Sequence, residues 1–479
     1  MARVLLLATT TGYQTRAFGE AAARLGVELV FATDRCAVLD DPWQDDAIPI
    51  RFHEEDASVA AIIRAAGTRP IDGMLAVGDR PTVIAARVAE ALGLPWHPVA
   101  GATVARHKLL TRERLRDAGL PGPWFLPFAL CPLPSALLSQ PSALSSQPFT
   151  YPCVIKPVSL SGSRGVMRAD DPASLATAIE RLRGLLASPD VRIERNDAHE
   201  TALIEGFIPG REYALEGLMH HGVLHTLAIF DKPDPLDGPF FEETIYLTPS
   251  AAPAGVQDAI ARTVAQAATA LGLSHGPVHA ECRVNDTGVF VLEVAARPIG
   301  GLCARALTFE KRGRVYFSRC TGDGSRLQEL PTEAQSAEVG SRRGDGSRNA
   351  RDTDSRPLEE LLLRHALGES PDGWAREAVA SGVMMIPIPR RGILRGVEGI
   401  DAARAVPHVS DLRITAKMDQ RLVPLPEGAS YLGFIFARAA APVDVERALR
   451  EAHARLHFAI DAEFPVLSAA QVDYNLHHG

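Results

Sequence analysis

Long apolar runs are missing from this 479-residue sequence. None reaches the ~18 residues that a membrane span requires, so no membrane partner is expected. The opening MARVLLLATTTG is too short for a secretory signal and lacks its flanks, which makes the cytoplasm the expected location. Cysteine is scarce and unpatterned. Cys36, Cys131, Cys153, Cys282, Cys303 and Cys320 form no C-x-x-C pair, which argues against a zinc ribbon or redox couple and for reduced, buried thiols. Clustered positive charge is absent too: the net charge is −8 and no element carries a basic stripe, so no nucleic-acid partner is expected. What remains is an ordinary globular composition, 46% apolar and 23% charged. It can bury sizeable cores in about three or four domains, or in two with large additions.

The first hundred residues alternate in pattern. Arg3–Ala8, Val27–Ala32 and Ile71–Val77 read as strands, with Thr15–Leu25 and Pro81–Leu92 as helices, which predicts βαβ units and a doubly wound parallel sheet over residues 1–105. Asp34 ends the second strand where a nicotinamide domain would place its ribose-binding acid. The first turn, Ala8-Thr9-Thr10-Thr11-Gly12, argues against that reading, because it holds one glycine where the fingerprint needs three. Residues 129–150 are rich in Pro, Ser and Gln and read as a loop insertion. Residues 311–356 mix Gly, Ser and both charges with very few large apolar side chains, so a disordered insertion is expected there. Globular patterning resumes over 357–479, with strand-like Val383–Pro387 and Tyr431–Ala437 and a closing helix near Val443–Leu456, an α+β pattern.

The chemistry sits in the middle of the chain. Cys153-Val154-Ile155-Lys156 is a strand ending in lysine, and it runs into Ser159-Leu160-Ser161-Gly162-Ser163-Arg164-Gly165-Val166. An ammonium beside a Gly/Ser loop suits phosphates, supplying a point charge and backbone N–H donors. The loop does not match G-x-x-x-x-G-K-[ST], and alone it reads more readily as a Gly/Ser hairpin with a solvated lysine. Further on, His279–Arg283 and Val289–Arg297 are strand-like arms joined by the turn Asn285-Asp286-Thr287-Gly288. Glu281 and Glu293 can then face each other across the hairpin. Two adjacent carboxylates repel, and Mg²⁺ held between them and nucleotide phosphates relieves the repulsion. Counting by twos puts Arg297 on the Glu293 face, where a guanidinium can neutralise charge during phosphoryl transfer. The plain alternative is an exposed hairpin with Glu–Arg pairs. Between these motifs, Thr201–Glu212 reads as a strand whose Glu205-Gly206-Phe207-Ile208 end offers backbone groups to an adenine edge, with Glu212 able to accept from ribose hydroxyls. Taken alone it is a strand ending in a Pro-Gly turn.

This order of motifs resembles the ATP-grasp superfamily. Upstream, Arg106-His107-Lys108 followed by Arg114–Phe125 is similar to that family's linker into the nucleotide domain. The resemblance implies an ATP-grasp domain over 106–310. Lys108 and Lys156 would bind ATP phosphates, and Ser159, Ser161, Gly162, Ser163, Gly165 and Val166 would lie in the loop over the γ-phosphate. Glu205, Gly206, Phe207 and Ile208 would cradle adenine, and Glu212 would hold ribose. Glu281 and Glu293 would hold Mg²⁺, or Mn²⁺ in its place, and Arg297 with Lys156 would support an acyl-phosphate step. Many members carry Asn two positions after the second metal glutamate, where this chain has Ala295. The form Glu293-Val-Ala-Ala-Arg297-Pro-Ile-Gly-Gly301, with Asp231-Lys-Pro and Phe240–Pro249, resembles instead the L-amino acid ligase branch, relatives of carnosine synthase.

The implied activity is ATP-dependent joining of a small carboxylate to an amine, with amino acids as the expected substrates. Glu242 or Glu243 would hold a substrate amino group and Arg305 a carboxylate. The rival readings are a biotin-carboxylase-like carboxylase and a nucleotide-binding protein without turnover, and a homodimer is left open. Two other features read as incidental. Thr415-Ala416-Lys417-Met418 partly matches a biotin-attachment sequence without the flanking pattern. The pairs His220-His221 and His477-His478 read as solvated surface, because neighbouring strand residues point to opposite faces.

Overall fold

The chain is described from a computed structural model covering residues 1–9, 12–34, 47–130, 149–311 and 355–463. At the N-terminus β1 (Arg3–Ala8), α1 (Gly12–Leu25), β2 (Glu28–Asp34), β3 (Ile48–Ile50), α2 (Glu55–Thr68), β4 (Gly73–Val77) and α3 (Thr82–Leu92) follow one another. The four strands form a parallel sheet in the order β3-β2-β1-β4. Residues Val4–Ala8 are all buried, because crossover helices cover a parallel sheet on both faces. The alternation read from the sequence therefore forms the expected doubly wound sheet. Helix α3 stops at Gly93, whose left-handed φ of 66° turns its N–H back onto the carbonyls of Ala89 and Glu90. Two helices, α4 (Val99–Arg106) and α5 (Lys108–Asp117), then lead out of this layer.

The next strands are β5 (Phe125–Ala129), β6 (Cys153–Pro157), β7 (Met167–Ala169) and, after helix α6 (Pro172–Leu186), β8 (Thr201–Gly206). They make a small antiparallel sheet in the order β5-β8-β6-β7. Helix α6 covers one face with Leu175, Ile179, Leu182 and Leu186, a helical stripe that packs on the sheet core. It begins at a capping box in which Asp171 accepts from the Ser174 backbone N–H.

A larger antiparallel sheet follows. It is built from β9 (Arg211–His220), β10 (Val223–Asp231), β11 (Ile245–Thr248), β12 (Gly276–Asn285) and β13 (Gly288–Ala295), with helix α7 (Ala254–Ala270) packed behind. Beyond residue 355 come α8 (Leu358–Ala366), β14 (Ala380–Ile386), β15 (Val409–Ile414), β16 (Gly433–Ala439) and α9 (Pro442–Ala454). Three of these strands join the same sheet, giving eight in the order β13-β12-β9-β10-β11-β14-β16-β15. The seam is the pairing of Ile245–Thr248 with Ser381–Met384. One hydrogen-bonded sheet thus runs through the boundary expected between 106–310 and 357–479. The closing strands and helix lie within a few residues of their predicted places.

The two expected insertions fall mainly on residues 131–148 and 312–354, outside the described residues. The ends of the second stretch nevertheless meet, since Phe309 pairs with Arg356 across an antiparallel ladder. A short connection can therefore span the gap. Replacing 312–354 with a linker of about six Gly/Ser residues changes loop-closure entropy by under ~2 kcal/mol, in the stabilising direction. The expected outcome is a melting temperature unchanged or slightly raised by scanning fluorimetry. A fall of more than about 5 °C would mean that the stretch packs on the fold.

Candidate active site

A cleft of about 660 Å³ opens between the small sheet and the eight-stranded sheet, with the tip after β4 at one end and the C-terminal segment along one wall. Its charged floor begins at Lys156 in β6. Strand β6 pairs with β8 so that Val154 lies opposite Glu205, and the Lys156 ammonium reaches the Glu205 carboxylate at 2.5 Å. The same carboxylate takes a fork from Arg112 of α5, with Nε at 2.7 Å and Nη2 at 3.1 Å. A third Arg112 nitrogen donates to the carbonyl of Val291 at 2.8 Å. Two buried cations thus share one anion. Burial works against ionised Glu205, but Arg112 and then Lys156 hold it down at about 2. Burial is also the largest influence on Lys156. Glu205 opposes it, Arg112 and Lys108 add to it, and the ammonium is lowered to about 8. The pair of shifts leaves a net positive charge directed at the cleft.

Above this floor lies the Gly/Ser loop. Lys108 donates from its backbone N–H to Val158 O at 2.8 Å and from its ammonium to Leu160 O at 2.5 Å. Gly162 and Ser163 both adopt left-handed φ, 65° and 55°, which curls the loop over the cleft. Gly165 does not face the cleft. Its N–H donates to Pro426 O at 2.8 Å, and the space where a Cβ would sit is taken by Leu182 and Leu185 at 3.0 Å. Arg164 donates to Glu427 O at 2.9 Å, and Arg181 forks onto the Glu427 carboxylate at 2.9 and 3.0 Å. The C-terminal segment therefore clasps the loop.

The opposite side is acidic, with one lysine at its centre. Lys232 reaches Glu243 at 2.5 Å, Glu212 at 2.8 Å and Glu281 at 3.2 Å. Oxygens of these three glutamates lie within 4.8 Å of one another. Burial disfavours charge on Lys232, yet the three carboxylates raise it well above its ordinary value. Burial and the neighbouring Glu281 push Glu243 up to about 8, while Lys232 and His279 overcome burial to hold Glu281 well below the usual range. Glu281 and Glu293 are register partners, as expected, with a bulge at Leu292. The Glu293 carboxylate, however, lies 3.5 Å from Lys108, outside the Glu212–Glu243–Glu281 group. Glu212 is also gripped by Arg283 at 3.0 Å. Arg297 forks onto Asp79, just beyond β4, at 2.7 and 3.1 Å, so the N-terminal sheet orients the guanidinium.

Of the sequence-predicted residues, Lys108, Lys156, Ser159, Ser161, Gly162, Ser163, Val166, Glu205, Gly206, Phe207, Ile208, Glu212, Glu243, Glu281, Glu293 and Arg297 line this cleft. Gly165, Glu242 and Arg305 lie outside its lining. Arg305 turns to Asp411 at 3.0 Å and stacks over Phe436, and the Glu242 carboxylate takes a hydrogen bond from the backbone of Ile388. Sequence reasoning missed Asp79, Arg112, Lys232 and the buried pair Glu216–His279. His279 donates to Glu216 across β9 and β12 at 3.1 Å. Burial opposes its charge, but Glu216 and Glu281 raise it to about 9. Only Lys232 had a signal, in the Asp231-Lys-Pro triplet. Thr415 and Ala416 of the biotin-like tetrapeptide form part of the cleft wall, whereas Met418 is exposed.

Comparison with known proteins bears on these features. The ATP-grasp N-terminal domain profile matches residues 19–96, the ATP-grasp domain 149–306, and the L-amino acid ligase C-terminal domain 2 residues 384–461. Carnosine synthase 1 of Gallus gallus is 30% identical over 259 residues, 53% of this chain and 27% of that protein. Dapdiamide A synthase of Enterobacter agglomerans is 30% identical over 152 residues, 32% of this chain and 34% of that protein. The chain thus spans about a third or less of the length of these two curated relatives. The crystal structure of an L-amino acid ligase from Bacillus licheniformis superposes with a TM-score of 0.72 at 25% identity, covering 96% of this chain and 99% of that one. With all three segments matched in order and the fold shared along nearly its whole length, the chain carries the N-terminal and nucleotide-binding domains of the ATP-grasp superfamily, joined to the C-terminal domain of L-amino acid ligases.

Proposed function

We propose that this protein joins a carboxylate to an amine at the expense of ATP, through an acyl phosphate, releasing ADP and phosphate, with an amino acid as one substrate. The observation that carries the reading is the cleft's charge arrangement. Two cations that share a single anion sit beside a loop of small residues, across from a cluster of carboxylates. Such a site binds and positions a polyphosphate, and phosphoryl transfer depends on positioning and charge neutralisation. Cys303 lines the cleft, but burial pushes its thiol up, so it is not a thiolate at neutral pH.

Each residue then has a task. Lys156 and Lys108 hold phosphate oxygens, with the N–H groups of Ser159–Ser163 above them. The backbone at Gly206–Ile208 meets the base, and Glu212 meets the ribose. The donor set fits a hard cation: Glu281 and Glu293 offer carboxylate oxygens on facing strands, each balanced by a lysine within 3.5 Å. These two would hold Mg²⁺, which supplies charge neutralisation at the transferring phosphoryl group. Arg297, fixed by Asp79, lies ready for the carboxylate whose oxygen attacks phosphorus, while ADP leaves. An amine then attacks the acyl carbon and phosphate departs with the amine's proton, with Glu243 in the cleft as a hydrogen-bonding partner for that amine. The loop clasped by Glu427 excludes water from the intermediate.

Coupled ADP detection with mass spectrometry of products tests the reading over pairs of amino acids. ADP should form slowly with Mg-ATP alone and rise many-fold only with the correct acid and amine, one phosphate per amide. ADP with bicarbonate alone, or AMP and pyrophosphate as products, would overturn it. Glu293→Gln should abolish metal-dependent turnover without unfolding, and near wild-type ATP consumption in that variant would remove Glu293 from the metal site. Lys156→Ala leaves the Arg112–Glu205 fork in place and should cost about 10²–10³ in the stimulated rate.

The lowered Lys156 also predicts a pH dependence. Its ammonium is charged below about 8 and neutral above. Affinity for Mg-ATP should therefore weaken by about tenfold between pH 7 and pH 9, as one proton is lost. Lys156→Arg should flatten this profile, because a guanidinium stays charged throughout. Equilibrium nucleotide binding across that range is the check, and a flat wild-type profile would contradict the assignment.

A further inference from the structure

At the ends of β9 and β12 far from the cleft, beside α8, three histidines converge from distant parts of the sequence. His220 ends β9, His275 immediately precedes β12, and His365 lies in the last turn of α8. The register explains the first two: Met219 pairs with Gly276, so the next residues along, His220 and His275, stand side by side. Helix α8 then brings His365 onto them. His220 Nδ1 lies 3.2 Å from His365 Nε2, and each of the three rings offers a nitrogen within 4.8 Å of the other two. His275 and His365 are buried, while His220 is partly exposed.

A second observation sets this group apart from ordinary ring packing. His275 is only 6% exposed, yet neither of its ring nitrogens has a hydrogen-bond partner among the described residues. A buried polar atom without a partner is costly and calls for an explanation. The nearby His97 shows the contrast: its ring contacts Pro277 O at 3.0 Å and accepts from Ser274 N–H at 3.3 Å, which satisfies both nitrogens.

We propose that His220, His275 and His365 form a binding site for a divalent transition-metal ion of the Zn²⁺ or Co²⁺ class, separate from the ATP cleft. Imidazole is a borderline ligand that prefers these ions over Mg²⁺. Metal–nitrogen bonds of about 2.0–2.1 Å at a tetrahedral angle separate two ligand nitrogens by about 3.3 Å, close to the His220–His365 spacing. A ring nitrogen of His275, within 4.8 Å of the other two, completes the set as the group closes on the ion. The fourth position lies toward His220, the least buried of the three rings, where water can enter. Bound there, the ion clamps α8 to the strand ends of β9 and β12, so its role is structural.

The test uses the untagged full chain, stripped with chelator and held at pH 7.5 in excess Mg²⁺ to fill the oxygen sites. Titration with Co²⁺ should show one equivalent bound, with the visible absorption of a four-coordinate ion, and Zn²⁺ should displace it. The bound ion should also raise the melting temperature. His220→Asn, at the partly exposed position, and His365→Leu should each abolish the signal while the chelated variants melt like the chelated wild type. Replacing His477 and His478 together should change nothing. Absence of a bound equivalent overturns the proposal, as does a signal that survives His220→Asn. Should His365→Leu melt early, His220→Asn decides.

Discussion

Glu205 holds two cations with one carboxylate, and the cleft depends on this imbalance. Arg112 approaches from the helix that leads out of the N-terminal layer, and Lys156 from the neighbouring strand of the small sheet. Were Glu205 to serve only one of them, the other would be an unpaired buried charge, a cost of about 3–5 kcal/mol. Shared, it leaves both cations tethered and about one positive charge over. That surplus can be satisfied by a phosphate, so the arrangement stabilises the fold and prepares the site together. The third guanidinium contact, to Val291 O on the metal hairpin, ties the same centre to the large sheet.

Lys232 plays the converse part. It sits among three glutamates that would otherwise repel one another, and keeps them within 4.8 Å. The cleft is thus divided into a cation-rich floor and an anion-rich wall, with Lys108 and Glu293 paired between them. Charges of opposite sign held apart by rigid strands match a ligand that is itself divided, a polyphosphate with a metal ion at one end and an ammonium-bearing substrate nearby. Such preorganisation requires stiff supports, and the elements that supply them are the buried strands β6, β8, β9 and β12.

The C-terminal strands complete the site rather than append to it. Three of them extend the central sheet, and Met385, Tyr431 and Phe434 form one side of the cleft. Glu427 takes Arg164 of the Gly/Ser loop on its carbonyl and Arg181 of α6 on its carboxylate. Among the described residues, the N-terminal layer contributes one acid, Asp79, at the carboxyl end of β4, where open parallel sheets place their binding residues. Three layers therefore meet at one cleft.

Much of this was legible in the linear order of residues. Apolar runs separated by helical stretches specify the parallel sheet, because burial on both faces leaves no other pattern. Lys156 before a Gly/Ser loop, and Glu281 and Glu293 four and five residues from the ends of a tight turn, are local features, since a hairpin and a strand end obey short-range geometry; the bulge at Leu292 then makes the two glutamates register partners. The partners of those residues were not legible. Arg112 lies 93 positions from Glu205, and Asp79 lies 218 from Arg297. Nothing in the spacing of such distant residues reports their meeting; only the crossing of layers brings them together. The pair His220-His221, expected to point to opposite faces, has its ring centroids 4.4 Å apart, because His221 follows the strand at a left-handed φ of 50°. The group forms instead from His220 with His275 and His365, because strand register and the docking of one helix decide which side chains share a space.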